Sequence, residues 1–277
     1  MTFPTPDVHL NDGHRLPTLG FGTWRLNDDE SCSSVQRALA AGYRLIDTAT
    51  RYENEVGVGR GIEASGLPRT SIVVTTKLHD ADHGYDAALR AFDASAARLG
   101  LDYVDLYLIH WPLAERDLYI DTWRAFIRLR EEGRVRSIGV SNFEAPHLER
   151  LIAETDVAPA VNQIELHVDF SQPALRAFHA RHGIVTQSWR PLGKGNLFDH
   201  PVVTALAQKH QRSPAQILLR WHVELGLVPI PKSGNPARIA ENLDIFGFSL
   251  TSEDLRTLAT LDGDHRQGEH PDRHLAF

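Results

Sequence analysis

Short apolar, β-branched runs recur along the chain, and the segments between them carry helical periodicity. The runs fall at 45–46, 72–74, 104–109, 135–140, 161–164, 184–185 and 227–230, with a weaker, Gly-rich one at 19–23. Unbroken apolar runs without polar alternation suit strands buried on both faces, the habit of parallel sheets. Between them, residues 30–41 place Val35, Ala38, Leu39 and Gly42 on one helical face, with Asn27 and Asp28 as capping candidates. Segments 87–99, 123–130, 145–152 and 173–180 read the same way. Gly42, Gly66, Gly100, Gly133 and Gly183 each follow an apolar periodic stretch, where a left-handed residue commonly ends a helix.

Regular strand–helix alternation implies a parallel sheet with right-handed crossovers, either an open doubly wound sheet or a closed barrel. Eight units in a chain of 277 residues favour the barrel, which typically takes about 250. No Gly-x-Gly-x-x-Gly follows the first run. The nearest approach, Gly57, Gly59 and Gly61, has the wrong spacing and lies within a helical pattern. Ahead of the first run, residues 8–10 and 15–17 flank Asn11-Asp12-Gly13-His14, and Asp-Gly between extended segments signals a hairpin. The expected architecture is a single α/β domain over 1–277. It is a (β/α)8 TIM barrel with an N-terminal β-hairpin at about 8–17 closing the bottom and a C-terminal tail at about 263–277 near the mouth.

Composition narrows the function classes. The formal charge of −7 shows no basic excess, which argues against a general nucleic-acid binder. No stretch approaches 18 uninterrupted apolar residues, so no membrane span is expected. Residues 1–11 lack the basic-then-apolar pattern of a signal peptide. The single cysteine, Cys32, cannot form an internal disulfide and suits the reducing cytoplasm. Fifteen histidines include no ligand-spaced cluster, so no metal is expected. Lysine is confined to Lys77, Lys194, Lys209 and Lys232, and the other basic residues are all arginines.

In a (β/α)8 barrel the chemistry belongs at the carboxyl ends of the strands. Those positions hold Thr23-Trp24, Asp47 with Tyr52 shortly after, Lys77, His110-Trp111, Ser141-Asn142, Gln163, Trp189 and Lys232-Ser233. Asp47, Tyr52, Lys77 and His110 form a coherent chemical set. A phenol is a weak acid near neutrality unless a cation stabilises its phenolate. Lys77 can supply that cation, Asp47 can hold the lysine charged, and His110 can donate to a substrate oxygen. The set suits protonation of an oxygen while hydride arrives at the adjacent carbon. Each member alone also fits a structural role; four complementary groups on separate strand ends point to chemistry.

Residues 42–55 (Gly-Tyr-Arg-Leu-Ile-Asp-Thr-Ala-Thr-Arg-Tyr-Glu-Asn-Glu) resemble the signature of the aldo-keto reductase superfamily. Residues 106–112 (Leu-Tyr-Leu-Ile-His-Trp-Pro) resemble its second signature. Ile230-Pro231-Lys232-Ser233 with Arg238, Glu241 and Asn242 resembles its third, and the similarity runs in order from about 16 to 262. The resemblance implies NADP(H)-dependent reduction of small-molecule carbonyls on a TIM barrel. Tyr52 would be the proton donor, Lys77 and Asp47 would tune it, and His110 would orient the carbonyl. Ser141, Asn142 and Gln163 would bind the nicotinamide carboxamide, with Trp189 stacked on the ring where many members have Tyr. Leu192, Gly193 and Lys194 belong to a loop expected to meet the cofactor's phosphates. Lys232, Ser233 and Arg238 would surround the 2′-phosphate, and Glu241 and Asn242 the adenine.

Trp24 and Trp111 would line the substrate pocket beside Tyr52 and His110. Short loops and the Trp189-x-Pro-Leu-Gly segment look most like the bacterial 2,5-diketo-D-gluconate reductase branch. That implies small polar carbonyls, dicarbonyls or keto-sugar acids; Arg190 departs from the smaller residue common in that branch. A monomer is expected. Two other readings stand beside this one: a Schiff-base lyase with Lys77 as nucleophile, and an NADP-binding sensor or regulatory subunit with little turnover.

Overall fold

The computed structural model describes residues 5–274, so the first four and last three positions of the expected single domain lie outside the described residues. The chain opens with the hairpin β1 (Asp7–His9) and β2 (Arg15–Pro17), antiparallel with Val8 opposite Leu16. The apolar runs then form eight parallel strands: β3 (Phe21–Gly22), β4 (Leu45–Asp47), β5 (Val73–Leu78), β6 (Val104–Ile109), β7 (Val135–Ser141), β8 (Val161–Glu165), β9 (Val185–Trp189) and β10 (Val228–Pro229). They pair in sequence order. The sheet closes because Gly20 N donates to Pro229 O, Gly22 N donates to Pro231 O, and Gly22 bridges to Lys232. A Cβ on Gly20 would sit 2.5 Å from the Ile230 side chain, so closure needs the glycine that makes this run a weak strand signal.

Among the described residues, ten α-helices cover the barrel: α1 (Asp28–Ala41), α2 (Glu55–Ala64), α3 (Tyr85–Leu99), α4 (Tyr119–Glu131), α5 (Ala145–Thr155), α6 (Pro173–Arg181), α7 (Pro201–His210), α8 (Pro214–Glu224), α9 (Pro236–Leu243) and α10 (Ser252–Ala259). Asn27 caps α1 in a reciprocal box with Glu30, so that helix begins two residues before the expected 30. The turn Tyr119–Thr122 extends α4 ahead of the expected 123, because Tyr119, Ile120 and Thr122 are all buried. All five predicted stop glycines take positive φ.

Apolar side chains form two layers. One lies between strands and helices and includes Ile46, Val74, Tyr107, Trp123 and Phe126. The other fills the barrel floor with Leu45, Leu106, Leu108, Val161, Val228 and Ile230, and Leu10 and Leu16 from the hairpin complete it. The hairpin therefore plugs the bottom, as expected. Above that floor the interior turns polar with Asp47, Lys77, Gln163 and Gln187, all buried. The described part of the tail runs across the opposite face. Among the described residues, no helix is long and apolar enough to cross a membrane.

The glycines of the discarded nucleotide-loop candidate have a packing role. They lie in α2, where a Cβ on Gly57 would overlap the Asp28 carbonyl and one on Gly59 would overlap the Leu99 carbonyl. Neither obstacle is a side chain that can turn away. Gly59→Ala is therefore expected to destabilise the fold by about 2 kcal/mol or more, read as a lower urea midpoint with an unchanged m-value.

Candidate active site

Asp47 ends β4, and Ala49 leads into a single 3-10 turn, Thr50–Tyr52, that returns Tyr52 toward the barrel mouth. The turn is held from behind. Asn54, fully buried, accepts from the Thr48 hydroxyl at 2.8 Å and donates to the carbonyls of Thr23 and Leu26 at 2.9 and 2.8 Å. Glu55 accepts from Thr76, Ser95 and Arg98. Both anchors lie inside the quoted signature, yet nothing in their local pattern separates them from ordinary helix-start polar residues.

Lys77, on β5, has no exposed surface. Its ammonium donates to Asp47 Oδ1 at 2.7 Å, to the Thr48 carbonyl at 2.9 Å and to the Tyr52 hydroxyl at 3.4 Å. Asp47 Oδ2 accepts from Gln163 Nε2 at 2.8 Å, and the same amide donates to Gln187 Oε1 at 3.0 Å. The rings of Trp24 and His110 flank Tyr52, with centroids 4.8 and 5.9 Å away. The four predicted residues thus converge.

Burial is the dominant electrostatic influence on all three titrating members. It works against the Lys77 ammonium, but Asp47 and Tyr52 outweigh it and the lysine pKa is raised. Burial also raises the Tyr52 pKa above its usual value, although Lys77 pulls the other way. The cation that stabilises the phenolate is visible in the sequence, whereas desolvation is a property of the fold. His110 is held well below the usual imidazole range by burial and then by Lys77, so it is neutral near pH 7. A charged, fully buried lysine that does not line the cavity is a poor amine nucleophile, which removes the Schiff-base reading.

A cavity of about 660 Å³ opens at the carboxyl face of the strands. Ser141, Asn142, Gln163 and Trp189 line one wall and bond to one another. Ser141 Oγ donates to the Gln163 carbonyl at 2.8 Å, Asn142 Nδ2 donates to the His110 carbonyl at 2.9 Å, and the Trp189 indole N–H donates to Asn142 Oδ1 at 2.8 Å. Leu192, Lys194, Lys232, Ser233, Arg238, Glu241 and Asn242 line the opposite end. Gly193 does not reach the surface of the cavity; its carbonyl accepts from the tail residue Gln267 at 3.0 Å. Lys194, Lys232 and Arg238 form no ion pair among the described residues. Trp24 and Trp111 line the cavity, and Trp24, beside the Tyr52 ring, is 43% exposed.

Sequence reasoning missed the groups that anchor the tail. Glu165, at the end of β8, accepts from the backbone N–H of Gln267 and of Gly268, each at 2.8 Å. Gly268 lies so close to Trp189 that a Cβ would come within 2.5 Å of the indole. Farther along, His274 stacks on Trp111 at 4.0 Å and bonds to Asp80, which also accepts from Arg51. These partners are scattered through the chain without periodicity or motif spacing.

The family model described as "Aldo/keto reductase family" matches residues 18–262. The chain belongs to this family. It is 52% identical over 267 residues to an aldo-keto reductase of Mycolicibacterium smegmatis, covering 96% of this chain and 97% of that one. It is 46% identical over 284 residues to morphine 6-dehydrogenase of Pseudomonas putida, covering 98% and 96%. Among solved structures, an aldo/keto reductase from Brucella melitensis superposes with a TM-score of 0.91 at 55% identity, over 93% of this chain and 100% of that one. A Gox0644 variant in complex with NADPH superposes with a TM-score of 0.95 at 47% identity, over 99% and 100%.

The Asp47–Lys77 pair has a stability signature of its own. Lys77→Met or Asp47→Asn alone leaves a buried partner uncompensated and is expected to cost about 3–5 kcal/mol. The double variant should recover a substantial part of that loss, and urea unfolding of all four proteins checks the coupling.

Proposed function

We propose that this protein is an NADPH-dependent reductase of aldehydes and ketones. The observation that carries the reading is the Tyr52 hydroxyl 3.4 Å from a buried Lys77 ammonium, beside a cavity also lined by Lys194, Lys232 and Arg238, cations without an ion-pair partner among the described residues. That donor set fits the cofactor: Lys232, Ser233 and Arg238 would grip the 2′-phosphate, with Lys194 at the pyrophosphate. Glu241 and Asn242 would meet the adenine. Ser141, Asn142, Gln163 and Trp189 would seat the nicotinamide, and Leu192 and Gly193 would shape the loop at the phosphates. NADPH, when bound, supplies a hydride to the carbonyl carbon.

The chain's own residues do the rest. Neutral His110 keeps one ring N–H to orient the substrate oxygen. Tyr52, protonated throughout the physiological range, gives its proton to that oxygen as negative charge develops. The resulting phenolate is stabilised by Lys77, and Asp47 holds the ammonium against the desolvation that would neutralise it. The likeness to the 2,5-diketo-D-gluconate reductase branch supports small polar carbonyls, dicarbonyls or keto-sugar acids as substrates. Support for the reaction class comes from the NADPH-bound relative and from relatives named as a reductase and a dehydrogenase. A nucleotide sensor with little turnover fits less well, because it has no use for the complete tetrad.

The single half-buried cysteine supports a cytoplasmic setting. A sheet closed on itself offers no edge for pairing with a second copy, which supports a monomer. Sedimentation at twice the mass of one chain would overturn it.

A panel of carbonyl substrates followed by NADPH and NADH absorbance tests the reaction, the cofactor preference and the substrate class together. Tyr52→Phe is expected to abolish turnover and leave NADPH affinity within about twofold, since it removes one hydroxyl; retained turnover would sink the assignment. The pH dependence has a definite sign. Reduction needs Tyr52 protonated and His110 neutral, and the first pKa is raised while the second is lowered. kcat/KM for reduction should therefore stay level from about pH 7 to about pH 9 and fall only outside that window.

A further inference from the structure

A second cavity, of about 610 Å³, opens on the face of the barrel opposite the mouth, between the hairpin and the first residues of β5, β6 and β7. It shares no lining residue with the mouth cavity, and the apolar floor lies between them. Its volume falls within the range of about 300–1,000 Å³ usual for small-molecule sites. Leu16 from the hairpin, Val73 and Leu106 form its apolar base. Ser137, also on its wall, lies beside Leu106 in the strand register. It faces the barrel interior, because Ser141 of the same strand lines the mouth and alternate residues share a face. Ser137 is 2% exposed, and its hydroxyl has no hydrogen-bond partner. A buried hydroxyl in that condition is costly unless a bound molecule supplies a partner.

Three arginines share the wall: Arg15 of the hairpin, Arg44 just ahead of β4 and Arg136 of β7. Arg15 is exposed and, like Arg44, has no ion-pair partner among the described residues. Arg44 donates to the carbonyls of Leu39 and Tyr43 at the end of α1, which leaves its charge uncancelled. Arg136 lies 3.2 Å from Asp105, but that carboxylate is already 2.6 Å from Arg69. The other acid on the wall is Asp7. With His14 counted neutral, three guanidinium groups against two carboxylates leave one net positive charge, in a chain of net charge −7. We propose that this cavity is a second binding site, for a small organic monocarboxylate with an apolar body and a polar group at its far end. Arg15 and Arg44 receive the carboxylate, the apolar base receives the body, and Ser137 bonds the polar end. A phosphomonoester is the other anion that guanidinium groups recognise. The single net charge and the two acids on the wall favour the monoanion.

Calorimetric titration of the full chain with 4-hydroxybenzoate, benzoate and phenyl phosphate, with and without NADPH, tests the site. Wild-type protein is expected to bind 4-hydroxybenzoate most tightly of the three, whether or not NADPH is present. Arg15→Gln, at an exposed position, is expected to weaken both carboxylates on the order of tenfold, the loss of one charge-assisted hydrogen bond. Ser137→Ala should weaken 4-hydroxybenzoate about fivefold and leave benzoate within about twofold. It removes a hydroxyl that bonds to nothing in the free protein, so it folds and decides the matter even if Arg15→Gln does not. Trp24→Ala, at the mouth, should leave every affinity within about twofold, as expected of distant sites. A wild-type protein that binds neither carboxylate overturns the proposal, as does an unchanged 4-hydroxybenzoate affinity in Ser137→Ala. So does a loss in Trp24→Ala with none in Arg15→Gln, which moves the ligand to the mouth. Tighter binding of phenyl phosphate than of either carboxylate overturns it too, and makes the cavity a phosphate site.

Discussion

A lysine ammonium with no exposed surface, sealed inside an eight-stranded barrel, is tolerable only if every proton finds an acceptor. Lys77 meets that condition with Asp47, the Thr48 carbonyl and the Tyr52 hydroxyl. Asp47 spends its second oxygen on Gln163, and Gln163 on Gln187, so the ion pair belongs to a polar belt running from β4 to β9. The belt stands on the apolar floor to which the hairpin contributes. Closure of the sheet by β3 and β10 is therefore an electrostatic requirement as much as a topological one. An open sheet would let water compete for the ammonium and weaken its hold on the phenol.

Several arginines on the outer surface are matched to carboxylates, in pairs such as Arg128–Glu132 and Arg212–Asp244 that add little to stability individually. On the wall of the mouth cavity Arg51 pairs with Asp80, whereas Lys194, Lys232 and Arg238 have no ion-pair partner among the described residues. Three of the four lysines lie in or behind that cavity, and the remaining one, Lys209, pairs with Asp254 on the outside. An acidic protein can thus hold an anionic ligand because its local field departs from its net charge.

Much of this was legible in the sequence, for physical reasons. Strands buried on both faces leave unbroken apolar runs, and helix ends leave glycines, so the barrel and its stops could be read directly. The tetrad was legible because strand ends are fixed points of the architecture. The first barrel strand, Phe21–Gly22, was faint because neighbours, rather than β-propensity, hold it in place. The tail anchors Glu165, Asp80 and Arg51 left no signal, since their partners are distant in sequence. The net direction of the Tyr52 shift was not legible, because desolvation emerges only when the chain surrounds the phenol.

The tail has a further consequence. Gly268 rests on the Trp189 indole, and Gln267 holds the Gly193 carbonyl. In the proposed reading, the segment that would wall the substrate side is therefore built on the same residues that would shape the nucleotide side. Selectivity and cofactor retention are not independently adjustable in such an arrangement. Under that proposal, a tail exchanged between relatives carries both traits with it.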